Sequence, residues 1–324
     1  MKQLTLLAAA LGFAIVLPVL AQTKWDLASA YPVVNFHTEN IAEFVADVEK
    51  YSGGKLTIQV RPNAALFKAP EIKRAVQGGQ AQAGEILLVN YESEDSLYGL
   101  DGIPFLATSY AEAQKLYKAS RKALDEKFAK QGMKVLYTVP WPPQGIFSRK
   151  ILASGADMQG LKWRAYSPAT TKIAELVGAQ PVAVQASEVS QALATGVIDS
   201  YMSSGATGYD SKIYEHLKYF YNTQAWLPKN AVLVNAKAFD ALDKPTQAAI
   251  LKAAADAETR GWKISEEKNA WYVEQLKAKG MSIEKPSEQL AADLRRVGNY
   301  MLAEWQRKAG DTGRKVIEAY RAQQ

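Results

Sequence analysis

An arginine at the end of a short apolar strand is the residue in this sequence best placed to do chemistry. The stretch is Gly160-Leu161-Lys162-Trp163-Arg164-Ala165-Tyr166-Ser167. A strand turns alternate side chains to opposite faces, so Leu161 and Trp163 share one face while Lys162 and Arg164 share the other. A guanidinium at the carboxyl end of a strand, facing a cleft, offers a fork of donors that fits a carboxylate in two parallel charge-assisted bonds. On an open face the same residue is a solvated arginine. Glu85, at the edge of another strand, would hold a hydroxyl or a cation if buried and would be solvated if turned outward. His37 and His216 are far apart, with no second metal-type ligand at productive spacing, so no metal site is expected and each reads as a solvated or capped histidine.

Signatures of catalysis are missing. There is no cysteine, no G-x-S-x-G and no H-E-x-x-H, and Gly53-Gly54 and Gly78-Gly79 lack the lysine and spacing of a phosphate loop. The expectation is therefore a non-catalytic binder with no cofactor. The rival class is an enzyme such as a lyase, using Arg164 as anchor and a Tyr or Glu as base.

The elements that must position these residues begin behind an export signal. Lys2 precedes an apolar run from Leu4 to Leu20 that contains Pro18 and ends in Val19-Leu20-Ala21, which predicts a cleaved signal over residues 1–21 and a periplasmic location. A retained membrane anchor is the alternative. The remaining chain of this 324-residue sequence is too long for one comfortable core, so two lobes are expected. The net charge of +6 comes from Lys and Arg interleaved with acids along 112–130 and 243–279, the pattern of solvated helix faces rather than of nucleic-acid binding.

Periodicity predicts a strand at Lys24–Ala30, a helix at Phe36–Tyr51 stopped by Gly53-Gly54, a strand at Leu56–Val60, a helix at Glu71–Gly78 and a strand at Ile86–Val89. A second unit is expected to begin near Met133–Val139, and Pro140-Trp141-Pro142-Pro143 reads as a crossover. Beyond it come strands at Leu161–Ala165 and Val197–Met202, helices at Thr170–Val177 and Ser187–Thr195, a short strand at Val232–Asn235, and a helix from Pro245 to Lys279 long enough to run across both lobes. The fold expected is α/β and two-lobed, with two mixed, mostly parallel sheets and a cleft at the carboxyl ends of their strands. Lobe 1 is expected to comprise 22–140 plus 229–262, and lobe 2 141–228 plus 263–324, with the C-terminal helices packing back across both.

Four segments carry a family resemblance: Asp157-Met158-Gln159-Gly160-Leu161-Lys162-Trp163-Arg164, Val177-Gly178-Ala179-Gln180-Pro181, Ser187-Glu188-Val189-Ser190-Gln191-Ala192-Leu193-Ala194-Thr195-Gly196-Val197-Ile198-Asp199, and Gly102-Ile103-Pro104-Phe105-Leu106. From Trp25 onward the chain resembles the solute receptors of tripartite ATP-independent periplasmic (TRAP) transporters, the DctP family of dicarboxylate and sialic-acid receptors. The resemblance implies that Arg164 takes the ligand carboxylate. It implies that the loop carrying Tyr31, Asn35 and Phe36 walls the cleft, although Asn35 also fits a helix N-cap and the two aromatics fit local core. Tyr209, Trp226 and Asn230 come from segments that line the cleft in relatives, and each also fits core packing.

Departures from the family pattern are informative. Asp199 is followed by Ser200-Tyr201-Met202-Ser203-Ser204 where Gly-x-Glu-Asn-Pro is usual, so Ser203 replaces a ligand-holding Asn and donates one hydrogen bond where an amide offers two. Trp141-Pro142-Pro143-Gln144 stands where sialic-acid receptors carry an Arg. With Ser204 and Tyr166, these residues suggest a ligand with fewer polar groups and an apolar or aromatic body. The expectation is capture of a small organic monocarboxylate by lobe closure about the crossovers near Pro140–Pro143 and Trp226–Asn230, and delivery to TRAP membrane subunits. A sugar acid or a dicarboxylate is the alternative ligand.

Overall fold

A computed structural model describes residues 22–323, so the expected signal segment lies outside the described residues. Eleven strands and nine helices follow among those residues. In chain order they are β1 (Thr23–Ala28), α1 (Phe36–Tyr51), β2 (Leu56–Arg61), α2 (Ala69–Gln77), β3 (Ala83–Leu87), α3 (Tyr110–Lys130), β4 (Met133–Pro140), β5 (Gln144–Ser148), β6 (Lys162–Ala165), α4 (Pro168–Leu176), β7 (Gln180–Ala183), α5 (Val189–Ala194), β8 (Ser200–Ser204), α6 (Gly205–Asp210), β9 (Tyr219–Tyr221), β10 (Lys229–Asn235), α7 (Ala236–Asp240), α8 (Lys244–Ala278), β11 (Ser282–Glu284) and α9 (Glu288–Arg321).

Two mixed sheets organise the chain. The first has the order β2-β1-β3-β10-β4 and the second β11-β9-β5-β8-β6-β7. In the first, only β10 runs against its neighbours β3 and β4; in the second, only β5 runs against β8 and β9. The two reversed strands flank the places where the chain passes between sheets. β4 thus closes the edge of the first sheet rather than opening the second unit, because β10 returns to pair with it from Lys229↔Pro140 to Asn235↔Met133. β3 ends at Leu87, where its pairing with β10 ends, and gives way to a 3-10 turn over Leu88–Tyr91. The helix expected at 187–195 is split into a 3-10 turn and the short α5.

Local chemistry explains the well-predicted pieces. The Asn35 side chain caps α1 by accepting from the His37 amide, and Phe36, Ile41, Phe44 and Val48 bury one stripe of that helix. Trp163 is fully buried in the core under the second sheet, opposite Arg164 on the strand. Helix α8 lies hard on the first sheet: a Cβ on Gly261 would come 2.3 Å from Val139 and 2.8 Å from Asn40. Farther along the same helix, Tyr272 backs onto Gly205 of α6 and Leu276 is buried in the core under the second sheet. The segment α9 also reaches both, through a kink at Gly310 that divides it into two helices, the first with Leu290, Leu294 and Val297 in one core and the second with Val316, Ile317 and Tyr320 in the other. No described helix is long and apolar enough to cross a membrane.

Candidate ligand-binding site

The carboxyl ends of strands from the two sheets converge on a cavity of about 220 Å³. Such ends are where open α/β sheets place ligands. From the first sheet come Ala30 and Tyr31 after β1, Leu87 at the end of β3 and Asn90 beyond it; from the second come Arg164 at β6 with Tyr166 just after it, Ser203 at β8 and Gln144 at the start of β5, while Trp141 stands on the crossover. This volume lies below the roughly 300–1,000 Å³ of pockets for drug-sized molecules, so the occupant is small.

Arg164 dominates the electrostatics. It is only 4% exposed, and its Nε donates to the Val184 carbonyl at 3.0 Å, which fixes the plane of the guanidinium. Its cationic carbon sits 4.9 Å from the Tyr166 ring and 5.5 Å from the Tyr201 ring. Among the described residues no carboxylate pairs with it and no protein acceptor takes its Nη groups. Burial lowers its pKa, yet a guanidinium does not deprotonate in proteins. A buried cation without a counterion is costly unless something else supplies the anion. The other cation of the cavity lining, Lys68, is exposed at the mouth.

A polar network lies behind the wall formed by the first sheet. Glu85 is 2% exposed and accepts from Ser29 Oγ at 2.7 Å and from Asn230 Nδ2 at 2.8 Å. The Asn230 carbonyl oxygen accepts from Trp141 Nε1 at 2.9 Å and, at 3.4 Å, from the Tyr31 hydroxyl. Burial raises the Glu85 carboxyl to about 7, with Ser29 and Asn230 pulling the other way. Burial also pushes His37 well below its usual range, so its approach of 3.5 Å to Glu85 is not an ion pair.

Six of the sequence-predicted residues line the cavity: Arg164, Tyr31, Trp141, Gln144, Tyr166 and Ser203. Glu85 and Asn230 stand one layer behind it, joined to it through Tyr31 and Trp141. Glu85 is not outward and solvated, because β3 is covered on both faces; His37, expected to be solvated or capped, is equally buried, its ring 4.3 Å from that of Trp141. Phe36 packs edge-on against Trp141 at 5.5 Å, below the cavity. Trp226 is buried in the core under the second sheet, its Nε1 unpaired in hydrogen-bond geometry although it lies beside the Tyr166 phenol. Ser204 caps α6 through the Thr207 amide, and Tyr209 packs edge-on against Trp271 and tilted against Tyr272, outside the cavity lining. Asn35 caps α1 and also donates to Asp210 Oδ2 at 2.8 Å, a contact between the loop after β1 and the end of α6.

Sequence reasoning missed Asn90 and Thr207. Asn90 follows β3, and its Oδ1 is buried without a partner in the cavity wall. Thr207 lies in the first turn of α6. Both follow strands that end at the cleft, so the carboxyl-end rule held the signal for them.

Residues 29–308 match the family model described as bacterial extracellular solute-binding protein, family 7 (DctP). A solved structure of DctP6, a Bordetella pertussis extracytoplasmic solute receptor binding pyroglutamic acid, is 62% identical; the alignment covers 93% of this chain and all of that one, with a TM-score of 0.92. A marine-metagenome TRAP solute-binding protein specific for pyroglutamate is 42% identical over 93% of this chain and 99% of its own, with a TM-score of 0.91. The C4-dicarboxylate-binding periplasmic protein DctP of Rhodobacter capsulatus is 26% identical over 250 residues, 74% of this chain and 73% of that one.

Proposed function

The chain belongs to family 7 of the bacterial extracellular solute-binding proteins, the receptors of TRAP transporters, and on that premise we propose that the carboxylate it captures is pyroglutamate. The observation that carries this reading is the buried Arg164, without an ion-pair partner among the described residues and facing a cavity sized for a small acid. The two relatives named with pyroglutamate share 62% and 42% of their aligned residues with this chain.

The ligand carboxylate docks on the two Nη groups while Nε stays on Val184. In a site drained of water such a bidentate pair is worth more than the same pair at the surface. The five-membered ring then occupies the space bounded by Tyr31, Leu87 and Trp141. Because the lining comes from both sheets, the ligand stabilises the closed arrangement by contacts that an open cleft cannot supply.

Export to the periplasm is the location this role requires, with residues 1–21 acting as the signal and the membrane subunits of a TRAP transporter receiving the acid. The protein binds and does not transform its ligand. Calorimetry with L-pyroglutamate should show one tight site, lost in Arg164→Ala, and mass spectrometry should recover the acid unchanged. Product formation, or undiminished binding by the variant, would overturn the reading.

A further inference from the structure

The hydrogen-bond directions around the cavity specify more than an anion. Two phenols line it, beside the aliphatic hydroxyls of Ser187, Ser203 and Thr207, and the protein has already committed the proton of each phenol. The indole Nε1–H of Trp141 can only donate, so the atom it meets at 2.9 Å must be the carbonyl oxygen of Asn230. The Asn230 amide nitrogen then faces the Glu85 carboxyl at 2.8 Å; rotating the amide would set two donors and two acceptors against each other. Tyr31, facing that carbonyl oxygen at 3.4 Å, can therefore only donate to it. The same logic holds across the cleft. Gln144 Nε2 donates to the Pro142 carbonyl at 2.9 Å, which leaves Gln144 Oε1 to accept from Tyr166 at 3.3 Å.

Neither phenol thus turns a proton towards the cavity: Tyr31 keeps its lone pairs for it, while the Tyr166 oxygen shares its own with the indole N–H of Trp226 beside it. Both stand close to the anchor: Arg164 lies over the Tyr166 ring, and the fields of Arg164 and Tyr166 both act on Tyr31. Burial holds both phenols protonated, so these are neutral acceptors.

We propose that Tyr31, seconded by Tyr166, selects ligands that carry a hydrogen-bond donor on the atom attached to the carboxylate-bearing carbon, a lactam N–H in the first place. With the carboxylate on Arg164, that donor is placed against the phenol oxygens rather than against the unpartnered Asn90 Oδ1 of the same wall. An acid of the same shape with a ring oxygen there loses the bond and sets lone pair against lone pair. Asn230 and Gln144 are the positioning residues that aim the phenols. This inference rests on the pyroglutamate reading and adds the atoms by which the ring is read.

The test is calorimetry with L-pyroglutamate and with its lactone, 5-oxotetrahydrofuran-2-carboxylate, in which a ring oxygen replaces the N–H. The lactone should bind at least roughly 30-fold more weakly, since a site built around a hydrogen bond rejects the analogue that lacks it. In Tyr31→Phe the lactam should weaken about tenfold and the lactone stay level or improve, so that the preference collapses. Loss of packing alone would weaken both acids alike. Tyr166→Phe should shrink the preference in the same direction and serves as the second variant should the first misfold. Lactone binding within about threefold of the lactam, or a preference intact in both variants, overturns the inference while leaving the pyroglutamate reading standing. If neither acid binds, both fall together.

Discussion

Two buried cations at strand ends make an instructive pair. Lys229, at the start of β10, is 2% exposed and lies 3.0 Å from the Asp101 carboxylate, which also accepts from the Lys229 backbone amide at 2.9 Å. Arg164, near the end of β6, is 4% exposed and forms no ion pair among the described residues; Glu188, on the same cavity lining, acts on it only at longer range. Burial raises the Asp101 carboxyl and Lys229 pulls it back, so that charge is answered within the fold. The charge of Arg164 is left for a guest to answer. A buried cation with its own carboxylate holds the crossover together, whereas one without is an invitation to an anion.

Breaking the paired site should cost the most stability. Asp101→Ala strands the Lys229 ammonium and should lower the unfolding free energy by about 3–5 kcal/mol, measured by denaturant titration. The unpaired site should respond in the opposite sense. Arg164→Ala should lose about 2–5 kcal/mol of ligand affinity in calorimetry, while the thermal midpoint of the empty protein stays level or rises. If the empty variant instead unfolds several kcal/mol more easily, Arg164 is a structural residue and the contrast collapses.

Glu85 sharpens the comparison, being a buried acid with hydrogen bonds but no cation. Its carboxyl is raised by burial from 4.5 to about 7, so the fold favours its protonated form. Stability from this group is therefore fully present below pH 4.5 and is lost as the pH rises to about 7, by roughly 3 kcal/mol at most. Denaturation of Glu85→Gln across pH 5–8 should show that part of the slope removed. The smallest effect belongs to Asn35, where Asn35→Ala removes the cap of α1 and the hydrogen bond to Asp210. It should cost about 1 kcal/mol, with little change in affinity.

Which parts of this were legible from sequence follows from how locally each was encoded. Helix α1 was predicted with its observed bounds, because Asn35, an apolar stripe and Gly53-Gly54 write its start, face and stop into adjacent residues. Arg164 was legible through the alternation of β6 and the family segment around it. The partner of β4 was not, since β10 arrives from about ninety residues away and nothing near Met133 announces it. Whether Glu85 is buried or solvated stayed open for the same reason: its cover comes from Ser29, His37 and Asn230, residues scattered along the chain. Asn90 has no pattern of its own, and its place in the wall is set by where β3 stops pairing.

The 35-residue helix α8 has a mechanical consequence. Gly261 keys it against β4 without room for a methyl group, while Tyr272 and Leu276 fasten its far end to the other half. A rod gripped at both ends acts as a leaf spring. Any widening of the jaws has to flex it or slip one grip, and an α-helix accepts gentle curvature far more readily than a packed contact accepts slippage.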